Sequence, residues 1–293
     1  LGIRHVVLDC RERFKEKVLE HAWAEYQRGR TPSPCLFCNR DIKFGMLWEY
    51  AARLGAVRLA TGHYARLEHT PEGPALYRGE DRAKDQSYFL SYLTRDQLDR
   101  LELPLGTITK PEVREWARRL GLATADKHES QDACLALDGH TLPESLRLRF
   151  EAPVRPGNFV DVGGRVLGPH EGFHRYTIGQ RRGLGIALGQ RAHVIALNPE
   201  DASVVLSTDD HDLLASGLEA TGVHWYGAVP ERCEAQIRSR HTAAPCRVQT
   251  TGEGTVAVHF ETPQPAVAPG QAVAFYDSDR LLGGGWIDAA LRG

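Results

Sequence analysis

Apolar and polar positions keep a helical rhythm through much of the first half of the chain and then change. Between residues 11 and 27 apolar side chains recur at Phe14, Val18, Leu19, Ala22 and Trp23, a spacing of three to four that predicts a helix. Ahead of it, Ile3-Arg4-His5-Val6-Val7-Leu8-Asp9 reads as a short buried parallel strand that ends in an acid. Thr31-Pro32-Ser33-Pro34 must interrupt the helix, because proline lacks an N–H and disfavours helix in the residue before it. Helical spacing returns over 39–54 (Ile42, Met46, Leu47, Tyr50, Ala51, Leu54), with Gly55 as the expected C-cap. Residues 56–63 predict a second buried strand running into a glycine turn, and 87–92, 95–101 and 110–120 predict helices. The last of these is opened by Thr109-Lys110-Pro111-Glu112, with proline in its first turn. Strand, helix, strand with glycine at the strand's end is α/β nucleotide-fold grammar.

Beyond about residue 150 the periodic runs shorten and Gly and Pro become frequent. Short β-rich runs are expected at 158–162, 193–197, 203–206, 233–238, 246–250, 256–260, 272–276 and 286–287, a spacing that suggests small barrels or sandwiches. The expected organisation is an α/β domain over 1–145, a small β-rich central domain over 146–215 and a C-terminal β-barrel over 216–293. The length, 293 residues, suits this multi-domain reading.

Composition sets bounds. With 42% hydrophobic and 25% charged residues the chain is neither disordered nor fibrous. No run approaches the roughly 20 apolar residues of a membrane helix, and no signal peptide is expected. Six cysteines are too sparse for a disulfide scaffold and point to a reducing, cytoplasmic setting. The net charge of −2 gives no hint of a polyanionic partner. Of the 36 basic residues, however, 30 are Arg and only six Lys, and arginine is the better bidentate phosphate ligand.

Several segments carry candidate chemistry. In Pro34-Cys35-Leu36-Phe37-Cys38, a C-x-x-C at a proline-rich loop entering a helix would favour thiolate at Cys38; two small buried thiols is an equal reading. Lys127-His128-Glu129-Ser130-Gln131-Asp132-Ala133-Cys134 is a polar stretch ending in a further thiol. Cys10, Cys233 and Cys246 read as inert core residues. Gly62, after a strand, would let a nucleotide approach the backbone, and His63 would either bind a partner or be structural. Lys84-Asp85-Gln86 is dense in donors and acceptors ahead of a helix and reads equally as a capping segment. The arginines of Thr177-Ile178-Gly179-Gln180-Arg181-Arg182-Gly183-Leu184-Gly185 and of Arg238-Ser239-Arg240 suit a nucleic-acid backbone, or a solvated turn.

Taken together and in order, these stretches resemble the tRNA-specific 2-thiouridylases, which thiolate the wobble uridine of the anticodon (U34). The resemblance runs through 31–44 (TPSPCLFCNRDIKF), 60–65 (ATGHYA), 84–90 (KDQSYFL), 105–114, 121–134, 176–185, Pro269-Gly270-Gln271 and 282–285. It implies that the α/β part is the remainder of an adenine-nucleotide α-hydrolase-like PP-loop ATP-pyrophosphatase domain. ATP, with Mg2+, would adenylate the uracil oxygen, and a cysteine persulfide loaded by a sulfur-donor protein would displace AMP. By resemblance Cys134 carries the persulfide and Cys38 is its nucleophilic partner, the two closing a disulfide. Gly62 would contact ATP. His63, Lys84, Asp85, Gln86, Arg238, Ser239 and Gln271 would contact tRNA, and Ser33, Pro34 and Cys35 would border the flipped-out base. Many relatives carry Asp where this chain has Cys35, so Cys35, Cys38 and Cys134 would also suit an iron–sulfur cluster. The family's Ser-Gly-Gly-x-Asp-Ser phosphate loop is not in the sequence, and an N-terminally truncated form is therefore expected. Two alternatives follow: a noncatalytic tRNA-binding remnant of the family lacking the ATP loop, and a thiol-redox or metal protein built on Cys35 and Cys38. No membrane partner is expected.

Overall fold

The helical rhythm of the first half is realised as consecutive helical stretches, Arg11–Phe14, Lys15–Glu20 and His21–Gln27, in a computed structural model that describes residues 2–126 and 134–292. The chain divides into two units: Leu1–His21 with Pro34–Ala125, and Ala22–Ser33 with Asp126–Gly293.

In the first unit a second helical run is built from Pro34–Phe37, Cys38–Met46 and Leu47–Arg53. Its apolar face buries Leu36, Phe37, Ile42 and Phe44, and its backbone is tied down by polar side chains. Gln97 Nε2 donates to the Arg40 and Phe44 carbonyls at 2.6 and 3.2 Å, and Asn39 Nδ2 donates to the Phe89 carbonyl at 2.8 Å. β1 (Leu59–Ala60) is the short core of the strand expected at 56–63, and its parallel partner β4 (Leu101–Glu102) takes Leu101 from the helix expected over 95–101. That helix is Arg95–Asp99, opened by a Thr94–Gln97 capping box. Between them β2 (Ala65–Thr70) and β3 (Gly73–Arg78) form a hairpin that the alternation did not reveal. Its tight Pro71-Glu72 connection ends at Gly73, whose φ of 111° a side chain would strain. The strand expected at 3–9 does not form: no described strand pairs with it, and Ile3 and Val7 remain 75% and 83% exposed. A strand's backbone groups need a neighbour, and without one apolar content alone does not hold the extended form.

In the second unit the helix Leu142–Arg149, which the sequence reading did not anticipate, starts at an extended Thr141 with proline in its first turn. The central sheet holds β5 (Gly157–Val160), β6 (Val166–His170), β7 (His193–Asn198) and β8 (Ser203–Ser207) in the order β6-β5-β8-β7. Its core is Phe159, Phe173, Tyr176, Leu184, Val194, Val204 and Leu206, with Phe159 and Tyr176 edge to face at 5.1 Å. The C-terminal part is a closed six-stranded barrel of β9 (Leu214–Trp225), β10 (Arg232–Gln236), β11 (Ala244–Gly252), β12 (Thr255–Pro265), β13 (Ala272–Asp277) and β14 (Arg280–Leu291). The strand order is β13-β10-β11-β12-β9-β14, closed by pairing of β13 with β14. Small residues let its walls approach: a Cβ added at Gly283 would lie 2.2 Å from the His224 carbonyl oxygen. No described helix is long and apolar enough to cross a membrane.

Gly283→Ala is therefore expected to destabilise the protein by about 1–3 kcal/mol, because backbone rather than a flexible side chain must yield. Gly227→Ala, which meets nothing within 4 Å, should change stability by less than about 0.5 kcal/mol. Urea midpoints of the two variants, with unchanged m-values, check this.

Candidate functional site

Residues 31–33, which lead into the two-cysteine helix, are held by groups far away in sequence. The Thr31 N–H donates to the Pro269 carbonyl at 2.8 Å. Gln271 Nε2 donates to the carbonyls of Thr31 (3.0 Å) and Pro32 (3.2 Å), and the hydroxyls of Thr31 and Thr177 share a short hydrogen bond. One step upstream Arg30 is fixed by Glu25 at 2.7 Å and Asp288 at 2.9 Å. Gly270, at φ 88°, passes so close that a Cβ there would lie 2.9 Å from both the Thr31 carbonyl oxygen and Glu25 Oε2. Trp23 sits edge-on to His174 at 5.7 Å and stacks on Phe150 at 6.5 Å, anchoring the same segment at its start.

Pro32 and Ser33 are buried, and Pro34 opens the helix, where its missing N–H costs nothing. Cys35 falls in the first helical turn and Cys38 one turn later; both are half-buried and neither is in a disulfide. The field of a helix terminus acts mainly within that first turn, so the structure places Cys35 rather than Cys38 where it is strongest. Cys134 is a free, exposed thiol. The polar stretch Lys127 to Ala133 before it lies outside the described residues. Among the described residues no group of three or more His, Cys, Asp or Glu side chains is placed to hold a metal ion.

Gly62 is exposed, and a Cβ there would meet only Leu105 Cδ1 at 3.5 Å, an ordinary contact. The fold leaves free the space that a side chain would fill. His63, by contrast, is only 9% exposed; its Nδ1 pairs with Thr61 Oγ1 at 2.9 Å and its ring lies 5.7 Å from Phe44. Burial, helped by the nearby Lys43 charge, pushes its pKa down to about 4 and keeps the ring neutral.

The polar side chains of Lys84-Asp85-Gln86 are largely engaged within the protein. Asp85 accepts from Arg78 Nη1, Gly79 N, Ser87 N and Ser87 Oγ at 2.8–3.1 Å. Gln86 Oε1 accepts from the Tyr64 N–H at 3.0 Å, while the Gln86 N–H donates to the Tyr64 carbonyl at 2.8 Å. This is the capping reading of the segment, with Lys84 half-buried beside it. Arg238 and Ser239 occupy a turn closed by the His241 N–H on the Arg238 carbonyl, and Arg238 Nη1 reaches the Pro265 carbonyl at 3.1 Å. Gln236 Nε2 braces that turn through the carbonyls of Arg238 and Ser239, both at 3.2 Å, leaving the Ser239 side chain exposed. The sequence reading missed Thr31, Thr177, Glu25, Arg30 and Asp288 as a connected group, since partners separated by 146 to 258 positions leave no local pattern.

His63 gives a pH-dependent test. Its folded pKa lies below the unfolded value near 6.5, so its contribution to stability is complete above pH 6.5. That contribution is lost as the pH falls through 6.5 toward 4, by about 3 kcal/mol in all. Urea unfolding at pH 7.5 and at pH 4.5 should show a drop for the wild type that is largely absent in His63→Gln; equal drops in both would remove His63 as the cause.

Comparison with known proteins places this geometry. Residues 1–138 match the family model described as tRNA methyl transferase HUP domain. Residues 148–208 match the tRNA methyl transferase PRC-barrel domain, and 215–287 the Aminomethyltransferase beta-barrel domain. The chain is 48% identical over 297 residues to the tRNA-specific 2-thiouridylase MnmA of Carboxydothermus hydrogenoformans, an alignment spanning 99% of this chain and 81% of that relative. It is 46% identical to the protein of the same name from Geobacter metallireducens (99% and 80% covered) and 43% identical to that of a Synechococcus species (100% and 83% covered). With an α/β unit, a central sheet and a closed barrel matched in that order, the chain belongs to the tRNA-specific 2-thiouridylase family.

Proposed function

We propose that this protein catalyses the ATP-dependent 2-thiolation of the wobble uridine of tRNA. The observation that carries the reading is similarity along 99% of the chain to proteins named for that activity, with Cys38 and Cys134 both present in the stretches that resemble the family. In the proposal residues 1–145 are the catalytic domain, and 146–215 and 216–293 bind tRNA.

Gly62 borders ATP, where the open space over its Cα admits the nucleotide. The uracil C2 oxygen attacks the α-phosphate and pyrophosphate leaves, which turns that oxygen into part of a good leaving group. The terminal sulfur of a Cys134 persulfide then attacks C2, AMP departs, and the base is joined through sulfur to Cys134. Attack of the Cys38 thiolate on the Cys134 sulfur breaks that S–S bond, releasing 2-thiouridine and leaving a Cys38–Cys134 disulfide. An external dithiol reductant resets the pair, and a persulfide-bearing donor protein recharges Cys134. A divalent ion such as Mg2+ would accompany ATP, but no described residue group is set to hold it and no step here depends on one.

Ser33, Pro34 and Cys35 border the flipped base. Lys84, Arg238 and Ser239 are the RNA contacts. Asp85, Gln86, His63 and Gln271 support these segments from behind, because their side chains are already bonded within the protein. The setting is the cytoplasm, where thiols are kept reduced.

Cys134→Ser should abolish 2-thiouridine, assayed by mass spectrometry of nucleosides from a tRNA substrate, while tRNA-dependent pyrophosphate release persists. Thiolation retained by the variant would overturn the role of Cys134. Wild-type protein that binds tRNA but neither releases pyrophosphate nor thiolates would instead favour the noncatalytic remnant. A second variant separates positioning from binding. Gln271→Ala should lower kcat by about 10- to 100-fold, since misplacing the base-bordering loop by about 1 Å is enough. Its tRNA Kd should stay within about two-fold of wild type; a parallel loss of affinity would make Gln271 an RNA contact instead.

A further inference from the structure

The central sheet carries a cavity of about 570 Å³ walled by the loop 181–192. Its apolar lining comes from Leu184, Ile186 and Leu188, which belong to or pack against the core of that sheet. The remaining lining is strongly basic: Arg181, Arg182 and Arg191, all exposed. Gly183, Gly185 and Gly189, each at φ 71°, let the loop curl around the space.

The charges on this rim are poorly neutralised. Arg181 is 3.2 Å from Asp210, an acid that is itself 78% exposed and also lies 3.6 Å from His193 Nδ1. No ion pair is found for Arg182 or Arg191 among the described residues. This contrasts with Arg30, Arg40, Arg78 and Arg147, each of which has a carboxylate within 3.1 Å. Three guanidinium groups lining one hollow, with a single exposed carboxylate, Asp210, beside them, suit an anion that accepts paired hydrogen bonds.

Position identifies the anion. The loop leaves Thr177, whose hydroxyl meets that of Thr31, and the turn between them is stiff. The Thr177 N–H donates to Gln180 Oε1 at 3.1 Å, Gln180 Nε2 donates to the Arg182 carbonyl at 3.0 Å, and Gly179 and Gln180 are both bonded to Val194 of β7. Arg181 is thus at most about 14 Å of chain from Thr177, and Thr31 is two residues before Ser33. We propose that Arg181, Arg182 and Arg191 bind a backbone phosphodiester of the tRNA close to the target nucleotide. This rests on the tRNA-thiolating reading above and adds to it a contact that holds the RNA in register while its base is flipped. A backbone contact of this kind fixes orientation without reading sequence.

The test uses the full chain and an unmodified tRNA transcript with a wobble uridine, measuring Kd by filter binding between about 50 and 200 mM KCl. Arg182→Ala and Arg191→Ala should each weaken binding about five- to ten-fold and lower the slope of log K against log salt by about 1, and the double variant by about 2. Arg182→Lys should keep the wild-type slope while losing affinity, because it preserves charge but not the fork. Thermal midpoints and the KM for ATP should not move. Arg165→Ala, an exposed arginine of the same sheet domain away from the cavity, should leave binding unchanged. Wild-type slopes in the cavity variants, an equal loss in Arg165→Ala, or a raised KM for ATP with tRNA binding intact would overturn the proposal. If wild-type protein binds tRNA with this arginine dependence but never thiolates it, the activity reading fails and the cavity assignment stands. Wild-type protein that does not bind tRNA overturns both.

Discussion

The hydrogen bonds from Gln271 to the carbonyls of Thr31 and Pro32 are the constraint on which the segment leading into the two-cysteine helix depends. Between the helical residues ending at Gln27 and the helix opening at Pro34, the chain has a glycine and a proline, with a second proline at the helix start, and forms no helix of its own. Ordering such a stretch costs about 1–2 kcal/mol per residue, and an ordinary hydrogen bond returns only about 1 kcal/mol net. Local bonds therefore cannot hold it. It is held by several distant groups acting at once: the Pro269 carbonyl, Gln271, Thr177, and Asp288 through Arg30. Residues 240 positions downstream thus set the conformation of the loop that precedes the two-cysteine helix. The C-terminal barrel therefore fixes a segment that lies more than 200 positions before it.

How much of this was legible in the sequence depended on whether the stabilising partner was local. The helices over 11–27 and 39–54 were readable because their burial comes from their own 3.6-residue period. The barrel strands with alternating large residues, such as Thr255–Pro265, were readable for the same reason with a period of two. Leu214–Trp225 escaped because its inward positions are filled by Ala, Gly and Leu, whose contrast with the neighbouring Ser, Thr and Glu is weak. Residues 3–9 have strand composition, but composition does not supply the neighbouring strand. At the site, Cys35, Cys38 and Gly62 stood out by a C-x-x-C spacing and by a glycine after a strand, although two small buried thiols is an equal reading of that spacing. Asp85, Gln86 and Gln271 read from sequence as RNA contacts; in the fold Gln86 and Gln271 bond to backbone, and Asp85 bonds to backbone and to the Arg78 and Ser87 side chains. An amide side chain bound for tRNA and one bound for a carbonyl 240 residues away are identical in sequence.

Electrostatics shows the same separation of average from local. A net charge of −2 was uninformative because most described arginines with short contacts are cancelled in place, as Arg78 is by Asp85 and Arg147 by Glu144. Glu144 shows how firmly: Arg147, with His174, draws its pKa down to about 2. What reaches a polyanion is the remainder, and Arg182 and Arg191 belong to it. His63, held neutral by burial, adds no charge to that remainder.

The six cysteines are sorted by the same logic of surroundings. Cys233 and Cys246 face each other across β10 and β11 with their sulfurs 3.7 Å apart, and Cys246 is 1% exposed. Its contact with the Cys233 sulfur, reinforced by burial and by nearby acids, drives the Cys246 thiol pKa upward. That suppresses the thiolate, the form that attacks sulfur or takes up a persulfide. A barrel thiol so placed is a poor nucleophile. Cys35 and Cys38 are half-buried at the start of a helix, and Cys134 is exposed. Selectivity among six identical side chains then needs no recognition of the cysteine itself. It follows from burial and contact, which hold the Cys246 thiol protonated and leave Cys134 at the surface.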